Sequence, residues 1–335
     1  MAIRVKRLAL FALLAGGLGL WLAIRSSAPT VPPSPPRAAR ADQKSESVHA
    51  LVPMLLDTDI GTDIDDAFAL ALAMRSSEIE ILGVTTVSGD TAARARLAAR
   101  ILWDSGFPFV PVAAGAPGKP LPKAQTRWGD GFSSPQLQTT QSQSAVDLLR
   151  SQIRQREGKI TLVAIGPLTN VAALIEQDPE TARKLKRIVL MGGAIAHGYG
   201  RNLTPVPEYN IASDPAAAQK VFASGIPILV VPLDVTAMLD LSAENRHRIF
   251  THLTTLTNTL TILYHLWNQE TPILFDAMAV AVLIDPSLCE TRELRIQVDD
   301  KGFTRAVPGG PPNATVALRT DPEKFWRLYL TRVAP

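Results

Sequence analysis

Five carboxylates fall within ten residues of the chain: Asp57, Asp59, Asp63, Asp65 and Asp66, in Leu55-Leu56-Asp57-Thr58-Asp59-Ile60-Gly61-Thr62-Asp63-Ile64-Asp65-Asp66-Ala67. So many like charges in one turn repel unless a cation or several hydrogen-bond donors neutralise them. Donors that are all oxygen suit Ca2+ or Mg2+, and no Cys/His cluster offers zinc a place. A sixth carboxylate, Asp276, stands alone in the apolar stretch Leu274–Leu283. Burying it without a cation or partner would be costly, which marks it as a further ligand. Such a set can hold a divalent ion, lower the pKa of a bound water and accept its proton.

Other uses of an acidic turn compete with this one. Aspartates at a helix start cap it and complement its dipole, but one or two suffice for that. An EF-hand loop needs Gly at its sixth position and a helix in front; counting from Asp57 gives Thr62, and a strand precedes the turn. A phosphoryl-transferring Asp-x-Asp turn, as in an Asp-dependent phosphatase, is the rival from another enzyme class. Gly61 stands where such turns carry Thr or Val.

The elements around the turn must hold it at a ligand-binding edge. Val52–Leu56 reads as a strand and Ala67–Arg75 as the helix after it. Apolar runs at Ile79–Val87, Ile160–Ile165, Arg187–Met191 and Ile228–Val231 alternate with amphipathic stretches at Thr91–Trp103, Ser144–Arg156, Leu168–Glu176 and Asp214–Ala223. Unbroken apolar strands alternating with helices predict an α/β fold, a mostly parallel doubly wound (Rossmann-like) sheet flanked by helices. Ser242–Trp267 reads as one long helix or two, and Pro272–Ile284 as a buried helix. Leu294–Val298 and Ala314–Leu318 read as closing strands before a helix at Asp321–Thr331. In such sheets ligands bind beyond the carboxyl ends of the strands, where the acidic turn lies.

The turn resembles the N-terminal signature of the inosine-uridine preferring nucleoside hydrolases, Asp-Thr-Asp-x-Gly-x-Asp-Asp-Ala, with two extra residues before the final Asp pair. Four more blocks follow in the family's order. They are Gly83-Val84-Thr85-Thr86-Val87-Ser88-Gly89-Asp90 and Leu162-Val163-Ala164-Ile165-Gly166-Pro167-Leu168-Thr169-Asn170, then Val189–Gly193 with Asn202–Pro205 and Glu208–Pro215, and Leu274–Ala281. The resemblance implies a nucleoside hydrolase-like fold over residues 51–335 and Ca2+-dependent hydrolysis of the ribosyl C1′–N bond. It implies metal ligation by Asp59, Asp66, Asp276 and the Ile165 carbonyl, with Asp59 also the general base. Ribose would meet Asp65, Asp90, Met191, Asn210, and, at its 5′-hydroxyl, Asn202 and Glu208. The small-molecule partner would be a nucleoside, and the assembly a homodimer or homotetramer.

Two departures bear on the leaving base. Phe275 stands where purine-active members place a His before the last Asp, and Trp128 replaces a His common in an earlier loop. Neither can act as an acid, so stacking by Trp128, Phe275 or Trp267, or a proton from Tyr264 or His265, would have to assist departure. Phe275 and Asp90 also leave open an exported nucleoside- or sugar-binding protein that keeps the metal without turnover.

Charge is unevenly spread. Residues 1–50 hold seven bases against two acids, while the remainder holds 27 against 29, so the net +3 comes from the leader. That argues against a nucleic-acid partner. Arg4, Lys6 and Arg7 precede an apolar run from Leu8 to Ile24, and Arg25 follows it, so residues 1–25 read as a signal peptide or a membrane anchor. Residues 26–50 are rich in Pro, Ala, Ser and charge and read as a linker. The body is therefore expected on the extracytoplasmic side, periplasmic or secreted, and anchored to the membrane if residues 8–24 are retained. Cys289, the single cysteine, excludes an intrachain disulfide.

Overall fold

The computed structural model describes residues 51–119, 124–138 and 144–335; the expected leader and linker lie outside them. The first half of the chain forms β1 (Val52–Thr58), α1 (Asp65–Met74), β2 (Ile79–Thr86), α2 (Thr91–Asp104), β3 (Val112–Ala114), β4 (Leu137–Gln138), α3 (Ala145–Gln155), β5 (Thr161–Ala164), α4 (Thr169–Gln177), α5 (Pro179–Ala182) and β6 (Arg187–Met191). The second half adds α6 (Tyr209–Ser213), α7 (Pro215–Phe222), β7 (Ile228–Val231), α8 (Leu233–Thr236), α9 (Ala243–Phe250), α10 (Thr255–Trp267) and α11 (Phe275–Ile284). It closes with β8 (Cys289–Leu294), β9 (Ile296–Val298), β10 (Thr304–Ala306), β11 (Ala314–Thr320) and α12 (Pro322–Val333).

Nine strands form one sheet in the order β4-β3-β2-β1-β5-β6-β7-β11-β8. All pairs are parallel except β8 on β11. From β1 the chain winds outward through β2, β3 and β4, then returns to β5 and winds the other way. The order therefore reverses between β1 and β5, and the crevice at such a reversal is where open α/β sheets bind ligands. Register puts Asp57 of β1 opposite Ala164 of β5, so the acidic turn and the Ile165–Asn170 turn leave the sheet side by side.

Both faces of β1 are covered. Met54 and Leu56 pack into one core with α1, α11 and α12, while Leu55 points into the other with α3, α4 and α7. Such two-sided burial explains why the strands read as unbroken apolar runs. Every residue of α1 is buried, as is α11 from Asp276 to Leu283. These two helices pack against each other, and α12 lies over them, with the Tyr329 hydroxyl donating to the Phe68 carbonyl at 3.0 Å. Among the described residues no helix is long and apolar enough to cross a membrane.

Three readings are refined. The stretch from Ser242 to Trp267 is two helices, because Ser242 and Thr254 each cap a new start and Leu253 adopts a positive φ of 57° between them. The buried helix begins at Phe275 rather than Pro272. The expected strand Leu294–Val298 is divided: Leu294 ends β8 on the main sheet, whereas β9 pairs with β10 in a separate hairpin. Strands β3 and β4, of three and two residues, are too short to show a period.

Candidate active site

The carboxyl ends of the central strands, together with the start of α11, enclose a cavity of about 180 Å3. Its walls include Asp59, Asp65, Asp66, Ile165, Met191, Glu208, Asn210, Phe275 and Asp276. Nine of the expected site residues are thus brought together from four blocks that span more than two hundred residues of sequence. Thr62, Asp63, Tyr199 and Tyr209 line it as well.

Oxygens of Asp65, Asp66 and Asp276 all lie within 4.8 Å of one another. Asp65 Oδ2 accepts the backbone N–H of Asp276 at 3.3 Å, and Asp66 Oδ1 accepts the Thr58 hydroxyl. This tight triad includes Asp65, expected as a ribose contact. Asp59, expected as a ligand, faces the same cavity but lies 3.9 Å from the Arg94 guanidinium. Burial pushes the Asp59 carboxyl up to about 6 despite Arg94, which pulls the other way. Burial, and then repulsion by their neighbours, drives Asp65, Asp66 and Asp276 well above the usual carboxylate range. Buried oxygens that resist ionisation together are the donor set a hard divalent cation satisfies, so these residues fit one.

Arg94, which the motifs did not reveal, holds the turn from beneath. Its guanidinium donates to the carbonyls of Asp59 and Ile60 and to the Thr62 hydroxyl, and its Nε to the Ser88 carbonyl. The signal available in the sequence was its place among Thr91, Ala95, Ala98 and Ile101, the buried face of α2. Gln125 supports the two extra residues of the turn, donating to the carbonyls of Thr62 and Asp63. On the other flank Gly166 touches Asp59: a Cβ there would come within 2.9 Å of the Asp59 nitrogen.

Glu208 caps α6, its carboxylate accepting the N–H groups of Asn210, Ile211 and Gly193 at 2.9, 3.2 and 2.9 Å. Burial raises its pKa, and those three donors oppose the rise. The Asn210 amide donates to the carbonyls of Met191 at 3.1 Å and Ile165 at 3.3 Å. Strand ends β5 and β6 are thereby tied to α6 within the cavity wall.

Three expected site residues lie elsewhere. Asp90 caps α2 through the Ala93 N–H, two residues past the strand-end turn, and borders a neighbouring cavity instead. Asn202 is exposed, and its side chain closes a turn onto the Thr204 N–H. Trp128 packs beneath Arg100, whose guanidinium lies 4.0 Å from its ring. Tyr264, His265 and Trp267 also lie outside the cavity wall. Asp57, which a phosphatase would need as nucleophile, is fully buried and does not line the cavity. It accepts Thr85 at 2.6 Å and Asn170 at 2.8 Å, and burial pushes it up to about 7.

The model of the family described as "inosine-uridine preferring nucleoside hydrolase" matches residues 54–327. The chain belongs to that family. A pyrimidine-specific ribonucleoside hydrolase of Klebsiella pneumoniae is 35% identical to this hydrolase over 312 residues, covering 84% of this chain and 98% of its own. A Salmonella gallinarum enzyme of the same description is 35% identical over 311 residues, with the same coverage. Among solved structures, a plant nucleoside hydrolase superposes with a TM-score of 0.73 at 26% identity, and a purine-preferring ribonucleoside hydrolase from Gardnerella vaginalis with 0.72 at 28%. Both alignments cover 84% of this chain and 98% of the neighbour. The chain is an N-ribosyl hydrolase with the mostly parallel fold of its relatives.

Proposed function

We propose that this hydrolase cleaves the N-glycosidic bond of ribonucleosides in a Ca2+-dependent reaction, giving free base and ribose. The carrying observation is that Asp59, Asp65, Asp66 and Asp276 meet the Glu208–Asn210 corner and the Ile165 carbonyl in one cavity at the sheet's reversal point. Relatives are described as pyrimidine-specific and as purine-preferring. The element common to those substrates is ribose, and ribose is what these polar walls can read.

Asp66, Asp276, the Ile165 carbonyl and either Asp59 or Asp65 would hold the ion. When bound, it would acidify a water and offer sites to two sugar hydroxyls. Asp59, a buried carboxyl in the cavity wall whose basicity burial raises, is the group placed to take the water's proton. Asp65 and Asn210 would orient the 2′- and 3′-hydroxyls, and Glu208 the 5′-hydroxyl. Holding the sugar at several points directs binding energy to the distorted, oxocarbenium-like ribose of the transition state.

The test is hydrolysis of uridine, cytidine and inosine by the purified protein, with metal analysis. We expect turnover, about one Ca2+ per chain, loss of activity on chelation and recovery with Ca2+. Asp276→Ala should lose both ion and activity. Binding of nucleosides without turnover, or full metal occupancy in Asp276→Ala, would overturn the reading. We propose further that the body acts outside the cytoplasm as a dimer or tetramer. The basic–apolar–basic leader supports export, cell fractionation tests it, and size-exclusion chromatography tests the assembly.

A further inference from the structure

Departure of the base needs a partner that the carboxylates cannot supply, since ionised carboxylates only accept hydrogen bonds. Phe275 occupies the wall beside Asp276 and offers no proton. Opposite it stands Tyr199, on the loop between β6 and α6, with ring centroids 5.9 Å apart and planes at 86°. The Tyr199 hydroxyl accepts the backbone N–H of Tyr209 at 2.9 Å, where α6 begins beside Glu208 and Asn210. That bond fixes the oxygen at the ribose corner and leaves the phenol one hydrogen to give. An N–H donated to a hydroxyl also strengthens the hydrogen bond the hydroxyl itself donates. Partial burial, with the side chain still 42% exposed, and then the negative charge of Glu208 hold the phenol above its ordinary value, so the proton stays in place across working pH.

We propose that Tyr199 receives the leaving base: its ring and Phe275 wall the base subsite, and its hydroxyl donates a hydrogen bond to an acceptor atom of the departing nucleobase. This rests on the hydrolase reading above. Water oxygen bonds to C1′ as the C1′–N bond breaks and its electron pair leaves with the base. Asp59 takes a proton from that water. The departing nitrogen takes one from solvent, and Asp59 later returns its own to solvent. Tyr199 keeps its proton throughout and stabilises charge developing on the base. The favoured substrates are nucleosides with an acceptor next to the scissile nitrogen, such as O2 of uracil or N3 of a purine.

The experiment compares wild type, Tyr199→Phe and Tyr199→Ala on uridine, inosine and p-nitrophenyl β-ribofuranoside, whose phenolate leaves without such help. Tyr199→Phe should lower kcat on both nucleosides by roughly 10- to 100-fold, at or below the lower end of a lost acid–base contribution. The nitrophenyl substrate should stay within about twofold. Tyr199→Ala should in addition raise KM for nucleosides, because the ring wall is gone. Unchanged nucleoside rates in Tyr199→Phe overturn the proposal. Equal losses on all three substrates also overturn it, because they mark a support for the Tyr209 N–H. A wild type inactive on every substrate overturns the hydrolase reading itself, and this proposal with it.

Discussion

Arg94 and Asp276 act on the acidic turn from opposite sides, one supplying the positive charge at its base and the other closing its open end with a further negative one. A single guanidinium does not offset five buried carboxylates, and their pKa values record the imbalance. Asp57 reaches about 7 and Asp59 about 6, and Asp65, Asp66 and Asp276 are raised well above 3.8, all chiefly by burial. Each folded value exceeds the unfolded one, so the folded state binds more protons once the pH passes about 4. The stability tied to these groups is complete below that pH and is lost as pH rises through the folded values. Chelated protein should therefore melt at lower temperature as pH goes from about 5 to about 8, and added Ca2+ should flatten that slope. A melting temperature that rises with pH in the chelated protein would show that protein donors alone neutralise the cluster. Most of the cluster was legible in the sequence because carboxylates crowded in one turn, or isolated in an apolar helix, have few other uses. Arg94 and Tyr199 were not, since neither residue type nor spacing says where a long side chain points. Asn202 and Trp128 show the converse: one stands in a family-like block and the other where the family commonly has a His, yet their side chains settle into a turn and against Arg100.

At the scale of elements, the hairpin β9–β10 props the ribose corner. The Thr304 hydroxyl accepts the Ala194 N–H at 2.8 Å, and Gly302, at φ 83°, packs so tightly on α6 that a Cβ would lie 2.5 Å from the Ala212 Cα. Ala212 sits two residues from Asn210. Gly302→Ala should cost about 2 kcal/mol or more, from overpacking and the disfavoured φ together. It should also raise KM for nucleosides by displacing α6. Denaturant unfolding and steady-state kinetics check the two effects, and unchanged values for both would show that the hairpin is no prop. Strand β9 falls within the single closing strand that the sequence predicts, because Leu294 and Ile296–Val298 form one apolar alternation, and β10 gave no signal. Nothing in that alternation marks the point where the backbone leaves the sheet. The helices were more legible: Ser242 and Thr254, which cap α9 and α10, are residues of ordinary capping type.

For the whole molecule, the unbroken apolar strands revealed a doubly wound sheet, and the place of the acidic turn after a strand put the site at the sheet's carboxyl edge. The strand order itself, with β11 between β7 and β8, was not readable, since neither a period nor a motif says which strand returns to the sheet edge. The family match begins at residue 54 and β1 at Val52. A chain starting at Ser45 should accordingly be soluble and as active as the full chain, measured as kcat/KM on a nucleoside. Loss of folding on that truncation would mean that residues 26–50 belong to the body rather than to a linker.

Contact between Asp65 and Asp276 joins positions 211 residues apart, from the first helix of the sheet to its last buried one. A cation bridging them would act as a removable crosslink in a chain whose one cysteine can form none of its own. Because such an ion is released on unfolding, it would stabilise the fold through its own binding, by about 2.7 kcal/mol at a free concentration a hundred times its Kd. The protein's resistance to unfolding would then rise and fall with the concentration of free divalent ion around it, together with the rate of the proposed reaction.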